Sequence, residues 1–469
     1  VTAEVQISSL NYIQDDHRDA LDTNLWIKAI FLLISLHWVF RPRKSKRRIL
    51  VAYLFECFGL DMAASTSRIL LLARKCTLSA IRKKAFLTPA VIGCQTHVAN
   101  LTSVRSKPIQ RKKPWPYEKW GYGFWTQYID DTRKRFNDNT KVIVVEGNIG
   151  VGKTEFAKKI AEQFDMRYFP DIQMDDVFIV PWSGFDVREL DEQLPWNLQC
   201  FDLKDFLTID PKQHPDKVLS LTKTQYRMYQ ERYRNYTNAL AHLLNTGQGV
   251  VLDRSVFGEV AIVDALYKMG YFRKEGFEFL RELRKYSICE LWKPHLVIYL
   301  DAPVSMVREK IKKKNQPLEV RSPILNNEGF LKAIEDNYKG NFLPYMRKYA
   351  EVLSYDLTEM PDMDIVVEDL EELDLDEPPM EEYDQEDRFS DWHHEQNFDF
   401  NGYRVDVSSA DKFVVRYMGI PEPFECPELR IMGDDIDTYR KVVIQDPRVK
   451  YQKGYNPETS STWKLLLKL

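Results

Sequence analysis

The sequence has no Cys-x-x-Cys pair, its six cysteines standing apart at 57, 76, 94, 200, 289 and 426. That spacing excludes a zinc ribbon, an iron–sulfur ligand set and a disulfide scaffold, and it fits a reduced compartment. No G-x-G-x-x-G follows an apolar run, so a dinucleotide fingerprint is missing. No internal repeat is visible. Long apolar runs are scarce too. Ala29 to Phe40 is mainly apolar and precedes the basic run Arg41 to Arg48, but it falls short of the roughly 20 residues a membrane span needs. The first methionine is Met62, which suggests that 1–61 are upstream sequence added by a gene model. Between Met62 and Tyr117 there is no Asp or Glu against eleven Lys and Arg. Arg68, Leu70, Arg74, Leu78 and Arg82 recur there at near-helical spacing, the pattern of a mitochondrial transit peptide cleaved before Pro114. The alternative is a basic arm for nucleic acid or an anionic membrane.

What is present is a chain of 469 residues, 44% hydrophobic and 29% charged, with net charge -4. The length suggests two or three domains, and the balance excludes a uniformly basic nucleic-acid binder. From Lys141 to about Thr358, apolar runs alternate with helical segments, which predicts an α/β fold with a parallel five-stranded sheet and helices on both faces. The candidate strands are Lys141–Gly147, Met166–Ile172, Gly249–Ser255, His295–Asp301 and Glu351–Leu357. Helices are expected over Lys153–Phe164, Lys223–Leu244, Glu259–Met269 and Val304–Lys313, with Asn245-Thr246-Gly247 as a C-terminal stop. Beyond the last strand, residues 362–395 hold sixteen Asp and Glu against the single base Arg388, which predicts a solvated linker over 359–396 or a surface meeting a basic partner. Residues 397–469 are rich in Tyr, Phe, Trp and Pro with little periodicity, as in an extended interaction tail. Residues 114–140 form a lead-in to the domain at 141–358.

Gly147, Asn148, Ile149, Gly150, Val151, Gly152, Lys153 and Thr154 match G-x-x-x-x-G-K-[ST] in full, between a predicted strand and a predicted helix. The glycines let backbone N–H groups turn toward phosphate oxygens, Lys153 reaches the terminal phosphates, and the Thr154 hydroxyl serves magnesium. Asp253-Arg254-Ser255 ends a buried strand, where open α/β sheets place ligands. Asp253 is the second candidate for magnesium and Arg254 the candidate for a transferring phosphoryl group, against the plain alternative of an ion pair closing the strand. His393-His394, near Asp391 and Glu395, lacks the second cluster a structural metal site needs.

In these motifs, Glu146 to Lys153 and Asp253-Arg254-Ser255, the chain resembles the deoxynucleoside kinases. Over Pro114 to Leu469 it is similar to the kinase-like accessory subunits of mitochondrial respiratory complex I. The segments Asn245–Ser255 and Ile288–Asp301 and the Tyr- and Pro-rich tail carry that second likeness. In the kinases a Glu after the second strand acts as general base. Here that stretch reads Phe169-Pro170-Asp171-Ile172, and Asp171 is shorter by one methylene, about 1.5 Å. Gln225 falls about where the kinases place a base-reading glutamine, unless it is an amide on a wet helix face. Where the kinases carry lid arginines, this chain has Lys310, Lys312, Lys313 and Lys314, with Arg321 further on. Lysine lacks the bidentate fork, and the run also reads as a solvated helix face.

The resemblance implies a non-catalytic accessory subunit of NADH:ubiquinone oxidoreductase on the matrix side of the mitochondrial inner membrane. It would support the complex by contact with other subunits, membrane-arm subunits included, and bind no nucleic acid. It also implies a structural site for ATP or a deoxynucleotide with magnesium. Flavin (FAD) has been ascribed to these subunits, but nothing in this sequence supports it. The alternative is an active mitochondrial deoxynucleoside kinase using Asp171 and Arg254.

Overall fold

The computed structural model describes residues 101–106, 111–180, 183–211, 213–360, 362–376, 388–393, 397–418, 426–430 and 433–450. The segment 1–61, nearly all of the expected targeting segment 62–113, His394 and residues 451–469 lie outside the described residues.

Five strands form where the apolar runs predict them: β1 Val142–Gly147, β2 Arg167–Phe169, β3 Val250–Asp253, β4 Leu296–Asp301 and β5 Glu351–Asp356. They make one sheet in the order β2-β3-β1-β4-β5 with every pairing parallel. All six residues of β1 are buried, as a strand covered on both faces by crossover helices must be. The chain passes outward from β1 to β2 and returns through β3, then crosses to β4 on the other side of β1. The carboxyl ends of β1 and β3 therefore open onto a crevice at the point where the order reverses.

The crossover helices are α1 Lys153–Gln163, α2 Pro215–Thr246, α3 Glu259–Lys268, α4 Lys274–Ser287, α5 Val304–Lys314 and α6 Glu328–Asn337. The helix expected from Lys223 begins earlier, at Pro215, whose fixed φ suits a first helical turn. It stops at Gly247, which is left-handed at φ +75° and donates its N–H to the Leu243 carbonyl at 2.8 Å. A Cβ at Gly247 would sit 2.1 Å from the Arg135 carbonyl oxygen, so only glycine fits this cap.

The acidic stretch departs from the expected solvated linker. Met363–Glu371 is a helix, α7, that buries Val366, Val367 and Leu370. Burying such side chains stabilises by about 1.5–3 kcal/mol each, which outweighs the mutual repulsion of acids on the opposite face. The tail departs from the expected extended form as well. It begins with α8 Asn397–Val407 and α9 Ala410–Met418, both packed on α2. Phe413 stacks on Tyr233 of α2 at 6.0 Å, and Tyr403 stacks on Trp292 at 4.2 Å. Arg404 is fully buried; it donates to Asn245 Oδ1 and to Asp130 Oδ2, each at 2.8 Å, and its guanidinium lies 3.6 Å from the Tyr122 ring centre. Much of this tail is thus fixed to its own chain by polar contacts, which apolar periodicity does not reveal.

Candidate nucleotide site

The loop between β1 and α1 is shaped by glycines in conformations closed to other residues. Gly150 has φ +72°, and at Gly147 a Cβ would lie 2.8 Å from the Leu300 carbonyl oxygen. Lys153 opens α1, is buried, and donates from Nζ to the Asn148 carbonyl at 2.8 Å. Burial, helped by the charge of Arg254, brings its pKa down from 10.5 to about 8, while Asp253, Asp171 and Glu146 resist that fall. A buried ammonium held this way gains more from an arriving phosphate than a solvated one does.

Thr154 Oγ1 donates to Asp253 Oδ2 at 2.5 Å, so the loop hydroxyl and the carboxylate at the end of β3 meet. Asp253 Oδ1 is buried with no hydrogen-bond partner. Buried carboxylate oxygens are almost always satisfied, and an orphan beside a hydroxyl suits a hard cation that takes oxygen ligands. These residues fit magnesium. A flavin dinucleotide is not fitted, because the turn after β1 has the mononucleotide spacing G-x-x-x-x-G-K-T.

Asp171 is not a free base. Its Oδ1 accepts from Arg232 Nε at 3.0 Å and its Oδ2 faces Arg254 Nη1 at 3.5 Å. Burial pushes its pKa up, but Arg232 and Arg254 outweigh burial and hold the carboxyl below its ordinary value. Arg232 also donates to one oxygen of Glu259, and Gln225 Nε2 donates to the other. Gln225 is buried, so it does not lie on a wet helix face. The result is a chain of partners, Gln225–Glu259–Arg232–Asp171–Arg254, along one wall. Arg254 itself is left-handed at φ +64°, with its N–H donated to the Val145 carbonyl at 3.0 Å. The next residue, Ser255, donates its N–H and hydroxyl to Glu146 Oε1 at 2.8 and 2.7 Å, and Tyr338 donates to Glu146 Oε2 at 3.0 Å. Burial raises the pKa of Glu146 against the pull of Arg254 and these donors.

The lysine run divides. Lys310 Nζ donates to the Val151 carbonyl of the loop at 2.8 Å, and Lys310, Lys313 and Lys314 line the cavity; Lys312 and Arg321 are exposed outside it. The cavity has a volume of about 700 Å³ and runs from the glycine loop past Asp171 to Gln225 and Arg232, within the size range of small-molecule sites. All the sequence-selected residues of the loop from Ile149 to Thr154, with Asp171, Gln225, Asp253 and Arg254, line it; Gly147 and Asn148 shape the turn behind. His393 Nε2 meets the Asp376 carbonyl, and among the described residues no cluster of three metal-binding side chains occurs.

Arg232 and Glu259 were not legible as members of this wall. A signal existed for Arg232, which stands seven residues after Gln225 and so on the same face of α2 two turns later. Glu259 opens α3 only four residues after Ser255.

Sheet order, loop and crevice define a P-loop α/β protein of the nucleotide-binding class. The model of the deoxynucleoside kinase family matches residues 143–388. The mitochondrial NADH dehydrogenase (ubiquinone) 1 alpha subcomplex subunit 10 of Bos taurus is 34% identical over 331 residues, covering 70% of this chain and 88% of that one. The deoxyguanosine kinase of Dictyostelium discoideum is 22% identical over 240 residues, 51% of this chain and 72% of its own length. A solved deoxyadenosine kinase from M. mycoides with products dCMP and a flexible dCDP bound covers 50% of this chain and 100% of its own, at 16% identity and a TM-score of 0.35. The chain belongs to the deoxynucleoside kinase family and, within it, to the family of the complex I alpha subcomplex subunit 10 proteins.

Proposed function

We propose that this chain is a non-catalytic accessory subunit of mitochondrial NADH:ubiquinone oxidoreductase, held on the matrix side of the inner membrane, with a nucleotide and magnesium as a structural ligand of its kinase cavity. The observation that carries the reading is the 34% identity over 331 residues that spans 88% of the Bos taurus subunit, a match longer than the kinase domain at 143–388. The site supports it. Backbone N–H groups and Lys153 would bind phosphates, with Thr154 and Asp253 holding the cation that neutralises them. Magnesium would supply only charge and orientation. Asp171, bound by two guanidiniums, is a weakened base, and loss of a general base typically removes 10² to 10⁴-fold in rate.

A second reading, an active mitochondrial deoxynucleoside kinase, is favoured by the intact loop and the open cavity. Native gels of mild-detergent extracts test the first: the chain is expected to migrate with complex I, and recovery only as a free monomer would overturn it. Turnover of labelled deoxynucleosides at about 1 per second or more, lost in Lys153→Ala, would favour the second. Thermal shift with ATP and magnesium reads the structural ligand, and no shift would remove that part of the proposal.

A further inference from the structure

Among the described residues, large exposed apolar side chains concentrate in one short segment. Phe124, Trp125, Tyr128 and Ile129 are 56%, 76%, 64% and 84% exposed. The rings gather edge to face, with Phe124 at 5.3 Å from Trp125 and 5.7 Å from Tyr128. The turn beneath them is fixed. Thr126 Oγ1 bonds both the N–H and the carbonyl of Gly123, Tyr122 donates to the Asp130 carbonyl at 2.8 Å, and Asn401 of α8 donates to the Gln127 carbonyl at 2.9 Å. Phe398, 58% exposed, precedes Asn401 by one helical turn, on a helix that packs against the Thr126–Tyr128 turn. Contiguous exposed apolar surface of this kind marks an interaction site, and rings already held in place lose little freedom on binding.

The segments that build and support the patch, 123–129 and 397–401, both lie outside the matched kinase domain at 143–388. They contribute no residue to the cavity. The charge beside the patch is uneven. On the same lead-in, Lys112, Lys113 and Lys119 are exposed, and no carboxylate among the described residues pairs with them. Most of the acids there are engaged: Glu118 faces Arg167 at 3.7 Å, Asp131 faces Lys134 at 3.5 Å, and Asp130 is shared by Arg135 and Arg404, while Asp138 is exposed.

We propose that this aromatic patch is the surface by which the chain docks on a neighbouring protein subunit, one whose face is apolar and edged with carboxylates. The proposal rests on the accessory-subunit reading above. The three ammoniums, unpaired with any carboxylate among the described residues, supply the charge complementarity, which steers encounter and fixes register, while Trp and Tyr supply the anchors typical of interface centres. A protein suits the patch better than a lipid surface does, because Asp130 and Asp399 stand next to Ile129 and Phe398 in the chain and would be carried toward hydrocarbon with them.

The test uses the full chain in cells lacking their own copy. The double variant Trp125→Asp, Ile129→Asp alters exposed positions, so its melting temperature and any ATP-induced shift should match wild type. Its complex-bound fraction on native gels is expected to fall about tenfold or more, the usual effect of losing interface anchors. Lys112→Glu with Lys119→Glu should cause a smaller loss that deepens with added salt in the wash. Full retention of the double variant in complex I overturns the proposal while leaving the subunit reading intact. Absence of wild type from the complex defeats both. Two other results overturn the docking proposal alone: Trp125-dependent flotation of purified wild type with phosphatidylcholine–cardiolipin vesicles, or a patch-dependent homodimer in sedimentation.

Discussion

At the phosphate end of the cavity, the groups that line it are the glycine loop, Thr154, Asp253, Lys310 and the buried ammonium of Lys153. At the other end they are the charged side chains of Asp171, Arg232 and Glu259, already bound to one another. The first end is a shape that stays ready whether or not the protein turns anything over. The second has satisfied its own charges internally, so an entering nucleoside must compete with ion pairs. On the proposed reading, binding and catalysis part company within one pocket, the first kept by glycines and the second weakened by partners of Asp171.

The sharpest way to break this contrast is to open the charged wall. Arg232→Leu leaves Asp171 and Glu259 buried without their shared cation, which should cost about 3–5 kcal/mol in urea denaturation. Arg232→Leu combined with Glu259→Leu should recover part of that loss, since removing both partners of a buried pair costs less than removing one.

Lys153→Met probes the other end with the opposite sign. Lys153 titrates at about 8 in the folded chain against 10.5 for the free side chain. Below pH 8 both states carry the proton and the folded state bears the whole cost of the buried charge. Between about 8 and 10.5 the unfolded chain holds more protons, so this group's contribution makes stability rise with pH. At pH 7 Lys153→Met should stabilise the ligand-free chain by up to about 3 kcal/mol and abolish the thermal shift with ATP. Its advantage over wild type should shrink as pH climbs through that window. A Lys153→Met chain less stable than wild type at pH 7 would contradict the account.

Smaller effects sharpen the comparison. Gly150→Ala forces a Cβ into φ +72°, so it should cost about 1–2 kcal/mol and reduce the ATP shift. Lys310→Ala removes one exposed-side donor to the loop and should change stability by no more than about 0.5 kcal/mol, while flattening the salt dependence of nucleotide binding.

The sheet was readable because each strand is an apolar run bounded by turn residues, and the loop because its spacing is dictated by phosphate geometry. Helices α4 and α6 are not among the helices expected from sequence, although each buries an ordinary apolar stripe. The acidic composition of 362–395 hid α7, whose three buried residues share a nine-residue helix with four acids. The tail was hidden for another reason: Arg404 and Asn401 anchor it, and a buried arginine looks in sequence like any surface arginine. Asp171 and Gln225 were legible as pocket residues by position, whereas their partners Arg232 and Glu259 depend on how α2 and α3 are placed in space.

The buried Arg404 also sets an order for folding. Its partner Asp130 precedes it by 274 residues, so a chain delivered amino end first presents the two at separate times. Every strand and the whole glycine loop have emerged before the guanidinium arrives. Until then Asn245 and Asp130 lack their clamp, and Gln127 and Thr132 lack Asn401. Folding in that order completes the strands and the glycine loop first and the support beneath the 123–129 turn last.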